Sequence, residues 1–167
     1  MTSNDKFPVF GVAETRFGPE VADIKVPGYS TLRQDRNTHC GIALYIKENF
    51  KAKVLCSSKT EQVGKPLKPE YLLCSIWQGD SAPILIALIY RPPDVSIRSD
   101  YEFIDLLRLH TQDYSHKIIM GDWNANLLDA SNSDTRFLNN LKSDLSLKSV
   151  ETAGPLIILK VTITGLI

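Results

Sequence analysis

Two apolar runs set in tandem, Tyr71 to Trp77 and Pro83 to Tyr90, constrain this chain more than any other feature. Each is short, rich in aliphatic residues and bounded by turn-forming residues, which is the pattern of a strand. Gly79-Asp80 between them reads as a hairpin turn. Arg91-Pro92-Pro93 then stops the second run, because proline cannot donate to a sheet ladder.

The remaining segments supply further strands and two helices. Phe7 to Ala13 is a short apolar run ending in Glu14-Thr15-Arg16, Gly41 to Ile46 is an aliphatic strand candidate, and Ala52 to Cys56 is a weaker one. Ser57 to Pro69 is polar with two prolines and reads as a loop. Ser99-Asp100-Tyr101-Glu102 has capping-box spacing, and Phe103, Ile104 and Leu107 follow at helical spacing, so a helix is predicted over 100–112. Lys117 to Met120 is a short buried strand that runs into Gly121-Asp122. Asp134 to Leu145 predicts a second helix, with Phe137, Leu138, Leu141 and Leu145 on one face. After Pro155 comes a last β-like run, Leu156 to Ile163. The sum predicts one α+β domain over residues 1–167, sheets packed together with helices outside.

Composition excludes several classes. The formal net charge is zero, with +3 over residues 1–70 and −3 over 71–167, so charge leaves no footprint of a nucleic-acid partner. The three cysteines, Cys40, Cys56 and Cys74, are odd in number and lack a CxxC pair, which suggests neither a disulfide framework nor a zinc knuckle and fits a reducing compartment. The N-terminus has no apolar signal-peptide core, and no run of about 18 apolar residues occurs. The expectation is an intracellular protein, nuclear or cytoplasmic, with no membrane span.

Three places hold residues suited to phosphate chemistry. Met120-Gly121-Asp122-Trp123-Asn124 lies where a buried strand gives way to a loop, a position that holds a side chain rigidly and leaves it reachable. The Asp122 carboxylate suits a hard cation such as Mg²⁺, and the Asn124 amide suits a phosphate oxygen or a water. Alone, the same residues also read as a strand end with an asparagine capping a turn. Glu14 offers a second carboxylate at another strand end, though a lone glutamate there is commonly a solvated charge. Tyr90-Arg91, held by the diproline, places a phenol and a guanidinium where both suit phosphate. The plainer reading is a core tyrosine beside a surface arginine.

Taken in order, AETRF, VPGYSTLRQDRNTHCGIALYIKENF, EYLLCSIW, LIALIYRPP and KIIMGDWNANLLD resemble the endonuclease/exonuclease/phosphatase superfamily. More narrowly, they are similar to the apurinic-type endonuclease domain of non-LTR retrotransposons. The recurrent family segment matches here at Gly28, Tyr29, Arg33, Asp35, Arg36, Gly41, Ile42, Ala43 and Leu44, with His39-Cys40 where small residues are usual. GDWN alone is a weak signal; the ordered set, spanning about 9–150, is strong.

The resemblance implies a four-layer α/β/β/α sandwich and hydrolysis of a phosphodiester with a divalent cation, Mg²⁺ or Mn²⁺. It implies DNA as substrate and no small-molecule cofactor, and it leaves the oligomeric state open. The resemblance implies that Glu14 matches the metal-binding glutamate, Tyr90 the phosphate-holding tyrosine, and Asp122 and Asn124 the Asp-x-Asn pair; Tyr90, Asp122 and Asn124 are the expected catalytic residues, and Glu14 and Asp122 the expected metal ligands. A phosphoinositide or sphingolipid phosphoesterase is a further reading, which YRPP and the segment ending in GIALYI oppose.

Two parts of the family pattern are missing. Asn4 is the only candidate for the asparagine upstream of the first strand. The terminal Ser-Asp-His triplet has no counterpart: the histidines are His39, His110 and His116, and none follows Ser-Asp. Resemblance ends near Val150, the tail 151–167 diverges, and the fold is expected to be incomplete at the C-terminus. Without that imidazole, weak or no activity is expected, because general acid–base groups contribute about 10²–10⁴-fold in rate. The alternatives are therefore an endonuclease of mobile-element origin and a catalytically inactive remnant or nucleic-acid-binding module.

Overall fold

The aliphatic runs become the central strands of two sheets. A computed structural model describes residues 7–17, 21, 24–35, 41–58, 68–93, 95–125, 131–150 and 157–162. The smaller sheet joins β1 (Val9–Ala13), β2 (Tyr29–Gln34) and β3 (Ile42–Lys47) in the antiparallel order β1-β3-β2. The larger sheet contains β4 (Lys51–Ser57), β5 (Glu70–Trp77), β6 (Ile84–Tyr90), β7 (His116–Asp122), β8 (Lys148–Val150) and β9 (Ile157–Thr162). Its order is β4-β5-β6-β7-β9-β8, with only β6 and β7 parallel. Helix α1 (Ile97–Thr111) crosses between β6 and β7, and α2 (Ser133–Asp144) follows β7.

Strand alternation sorts the apolar residues into two cores. Leu72, Cys74 and Ile76 of β5 and Ile86, Leu88 and Tyr90 of β6 face Ile42, Leu44 and Ile46 of β3, filling the space between the sheets. Leu73, Ala87, Ile89 and Ile119 point the other way, against Phe103, Ile104 and Leu107 of α1 and Phe137, Leu138 and Leu141 of α2. The architecture is therefore an α/β sandwich: two sheets face to face, with both described helices outside the larger one. The sheets approach closely at Gly11, where a Cβ would fall 2.5 Å from Leu88 Cδ1.

Several boundaries differ from expectation. The capping box predicted at Ser99 is not the helix start: α1 begins at Ile97, and its N-cap Ser96 accepts the Ser99 backbone N–H at 3.3 Å. Strands β2 and β8 were not foreseen from periodicity. The β-like run in the tail forms β9, which pairs with β7 from His116↔Thr162 to Gly121↔Ile157, so that flank of β7 is not an open edge. Asn4, Arg36, His39, Cys40 and most of the 57–69 loop lie outside the described residues.

Candidate functional site

Three strand exits meet at one end of the sandwich. In the parallel pair β6–β7, Tyr90 stands directly beside Asp122. Ile118 and Met120 pack into the inter-sheet core, so alternation puts Asp122 on that same inner face, two residues further along. Opposite, β1 ends at Ala13, whose side chain also packs into that core. Strict alternation would turn the next residue away. Instead Glu14 adopts a left-handed backbone (φ 53°), and its carboxylate Oε1 accepts the Tyr90 hydroxyl at 2.5 Å. A left-handed non-glycine residue costs roughly 1–2 kcal/mol, so this contact is held against a backbone preference.

The loop after β7 is equally specific. Gly121 has φ 149°, and a Cβ there would fall 1.8 Å from the Ile89 carbonyl oxygen, so only glycine lets β7 pass this close to β6. Asn124 is left-handed (φ 46°), a conformation asparagine tolerates. Its backbone N–H donates to Asp122 Oδ1 at 3.0 Å, and its side-chain Nδ2 donates to the Arg91 carbonyl at 2.9 Å. Tyr90 is buried, Asp122 half-buried and Asn124 exposed, while the Glu14 side chain is 42% exposed. Glu14, Tyr90, Asp122 and Asn124 thus share one solvent-reachable rim.

Arg91 departs from both of its expected readings. It neither faces that rim nor lies on the surface: its side chain is 2% exposed. Its Nε and Nη2 donate to the two Asp100 oxygens at 2.9 Å each, and Nη2 also donates to Asp134 at 2.8 Å. Burial by itself would lower the guanidinium pKa, but the hydrogen bonds and charges of Asp100, and then Asp134, outweigh it and hold it above its ordinary value. Both residues are buried, but the step from Tyr90 to Arg91 crosses the sheet, so Tyr90 joins the inter-sheet core and Arg91 the side that faces the helices.

Sequence reasoning overlooked Glu70. This carboxylate sits beside Tyr90 across β5–β6 and is 1% exposed. It accepts the Gly41 N–H at 2.9 Å, and the Gly41 carbonyl accepts Thr15 N–H at 3.0 Å, so Glu70 braces the turn next to Glu14. The available signal was a charged residue opening an otherwise apolar strand, EYLLCSIW.

Neither described histidine belongs to this rim. His116 opens β7 at the end opposite Asp122, six residues or roughly 20 Å away. His110 lies in the last turn of α1, near where the Thr111 carbonyl accepts Lys117 Nζ beside the start of β7. Among the described residues no group of three or more His, Cys, Asp or Glu gathers as a metal cluster, and no helix is long and apolar enough to cross a membrane. The two rim carboxylates match in number and hardness what Mg²⁺ or Mn²⁺ ordinarily takes from protein, with water and phosphate completing its shell.

No known protein family and no curated protein matches the chain in sequence. Solved structures do. The catalytic domain of human Nocturnin, determined with bound sulfate, superposes with a TM-score of 0.55 at 15% identity over 80% of this chain and 60% of that one. An endonuclease/exonuclease/phosphatase family protein from Bacteroides thetaiotaomicron gives 0.55 at 12% identity over 81% and 60%. The 3′ phosphatase NExo from Neisseria, bound to product DNA hairpin, gives 0.59 at 11% identity over 94% and 77%. The chain spans three-fifths of the length of the first two. At these identities the likeness is one of architecture: this chain has the α/β sandwich fold of endonuclease/exonuclease/phosphatase proteins.

Proposed function

We propose that the rim is a metal-dependent phosphodiesterase site, of the DNA endonuclease kind carried by non-LTR retrotransposons. The observation that carries this reading is the meeting of Glu14 with Tyr90, and of Tyr90 with Asp122, from three separate strand exits. Glu14 joins it from a disfavoured backbone, the kind of local strain that gathers at functional sites.

Glu14 and Asp122 would hold the cation, which when bound neutralises charge developing on the phosphate. Tyr90 orients Glu14 through its hydroxyl and lines the phosphate position. Asp122 is the carboxylate placed to take or steer a proton of the attacking water. Asn124 uses one amide N–H on the Arg91 carbonyl and keeps the other for a phosphate oxygen. That NExo was captured with a DNA hairpin favours DNA as the substrate class.

A second reading is a domain that binds nucleic acid without cutting it. It is favoured by the placement of His110 and His116, both away from the rim. A supercoiled-plasmid nicking assay separates the two, run with Mg²⁺, with EDTA, and with Asp122→Ala. Metal-dependent nicking abolished by the substitution supports the enzyme. Folded protein that retains plasmid in a gel shift but leaves it supercoiled supports the binding module.

A further inference from the structure

Arg91 is hydrogen-bonded to each of the three residues of the Asp122–Asn124 loop. Its backbone N–H donates to the Asp122 carbonyl at 2.8 Å, and its own carbonyl accepts Asn124 Nδ2 at 2.9 Å. Its Nη1 donates to the Trp123 carbonyl at 3.4 Å. Three consecutive loop residues are therefore tied to one residue, two through its main chain and one through its guanidinium.

The guanidinium is itself immobilised. Asp100 in the first turn of α1 grips it with both oxygens, Asp134 in the first turn of α2 takes a further N–H, and the group lies 5.5 Å from the Phe137 ring centroid. A planar fork with five donors reaches all three oxygen sources at once; a lysine ammonium is a point charge on a flexible stem and does not. We propose that Arg91 is a positioning residue, fixing the Asp122–Asn124 loop to the starts of both helices through its buried side chain. Its bearing on catalysis rests on the phosphodiesterase reading of that loop; its hold on the loop does not.

The test is Arg91→Lys, which keeps the charge and removes the fork. In ¹H–¹⁵N spectra the native Asn124 side-chain amide has one N–H committed to the Arg91 carbonyl. That bond is to the main chain and survives the substitution; the variant is expected to move the Trp123 and Asn124 backbone signals, which flank the carbonyl that Nη1 holds, toward the values of an unrestrained loop, while Leu73 and Ile89 in the core stay in place. Unmoved Trp123 and Asn124 signals in a folded variant overturn the proposal. If Arg91→Lys does not fold, Asp134→Asn, which removes only the partly exposed partner, is judged by the same signals. Where the wild type nicks DNA, Arg91→Lys is expected to lower kcat about 10- to 100-fold with KM unchanged, since a misplacement of about 1 Å costs rate rather than affinity. A raised KM with unchanged kcat counts against positioning. Shifted loop signals in a protein that never nicks refute the phosphodiesterase reading and leave Arg91's hold on the loop standing.

Discussion

The two faces of the β6–β7 exit are built from neighbouring residues of similar polarity, yet they are packed differently. On the inner face Tyr90 and Asp122 stand side by side at a rim that Glu14 also reaches. On the outer face Arg91 and Trp123 are each at most 2% exposed, Arg91 paired with Asp100 and Asp134 and Trp123 packed between Phe103 and Phe137. A one-residue step along an extended chain turns a side chain to the other side of the sheet. The lesson is that charge and aromaticity in a strand-exit motif do not say which side of the sheet a residue joins; its place in the alternation does.

The largest effects are expected on the outer face. Arg91→Met leaves Asp100 buried beside an uncharged side chain and should cost about 3–5 kcal/mol, read as a lower urea midpoint. Asp122→Ala should change stability by less than about 1 kcal/mol, because it loses one short loop hydrogen bond, while removing whatever nicking activity exists. Equal losses of stability from the two substitutions would erase the distinction between the faces.

A smaller effect is expected at Tyr90→Phe, which strands the Glu14 carboxylate without its phenol. About 1 kcal/mol should be lost by denaturant titration, with the inter-sheet core otherwise intact. No change in midpoint would mean that the disfavoured backbone at Glu14 is held by the Thr15–Gly41 bond and the Arg16 ion pair without the phenol.

A further effect appears only with pH and concerns the inner face further from the rim. Burial pushes the Cys74 thiol up to about 12 from 9.0. Between those values the folded state keeps a proton that the unfolded state has lost, so this contribution is complete below about pH 9 and declines as pH rises. Urea midpoints from pH 8 to 10 should fall, with a slope approaching about 1.4 kcal/mol per pH unit at the alkaline end. Cys74→Ala should flatten that decline; an unchanged slope would assign it elsewhere, with Tyr71, also raised to about 12 by burial and by Cys56, contributing only above its ordinary 10.0.

Much of the scaffold was legible because its signals are local. The β5–β6 hairpin, the strand running into Gly121-Asp122 and the apolar stripes of both helices follow from spacing alone. Strand β2, YSTLRQ, was not legible by period, since it pairs at a sheet edge with only partial burial. The α1 start was misassigned because Ser99-Glu102 matches the reciprocal cap in sequence, while the true cap, Ser96, has a serine rather than a glutamate three residues on. The meeting of Glu14, Tyr90 and Asp122 came from the order of motifs and not from spacing, because 76 residues separate the first two. Arg91's burial was invisible, since its partners Asp100 and Asp134 lie on two different helices.

The most direct test of the inner-face claim is Mn²⁺ titration followed by paramagnetic broadening of ¹H–¹⁵N signals, which needs no catalysis. The account predicts that Glu14, Tyr90, Asp122 and Asn124 broaden first, that Leu73 and Ile119 follow only at higher metal, and that Asp122→Asn with Glu14→Gln abolishes the early broadening. Broadening centred on His116 at the opposite end of β7, or spread evenly over the chain, would contradict it.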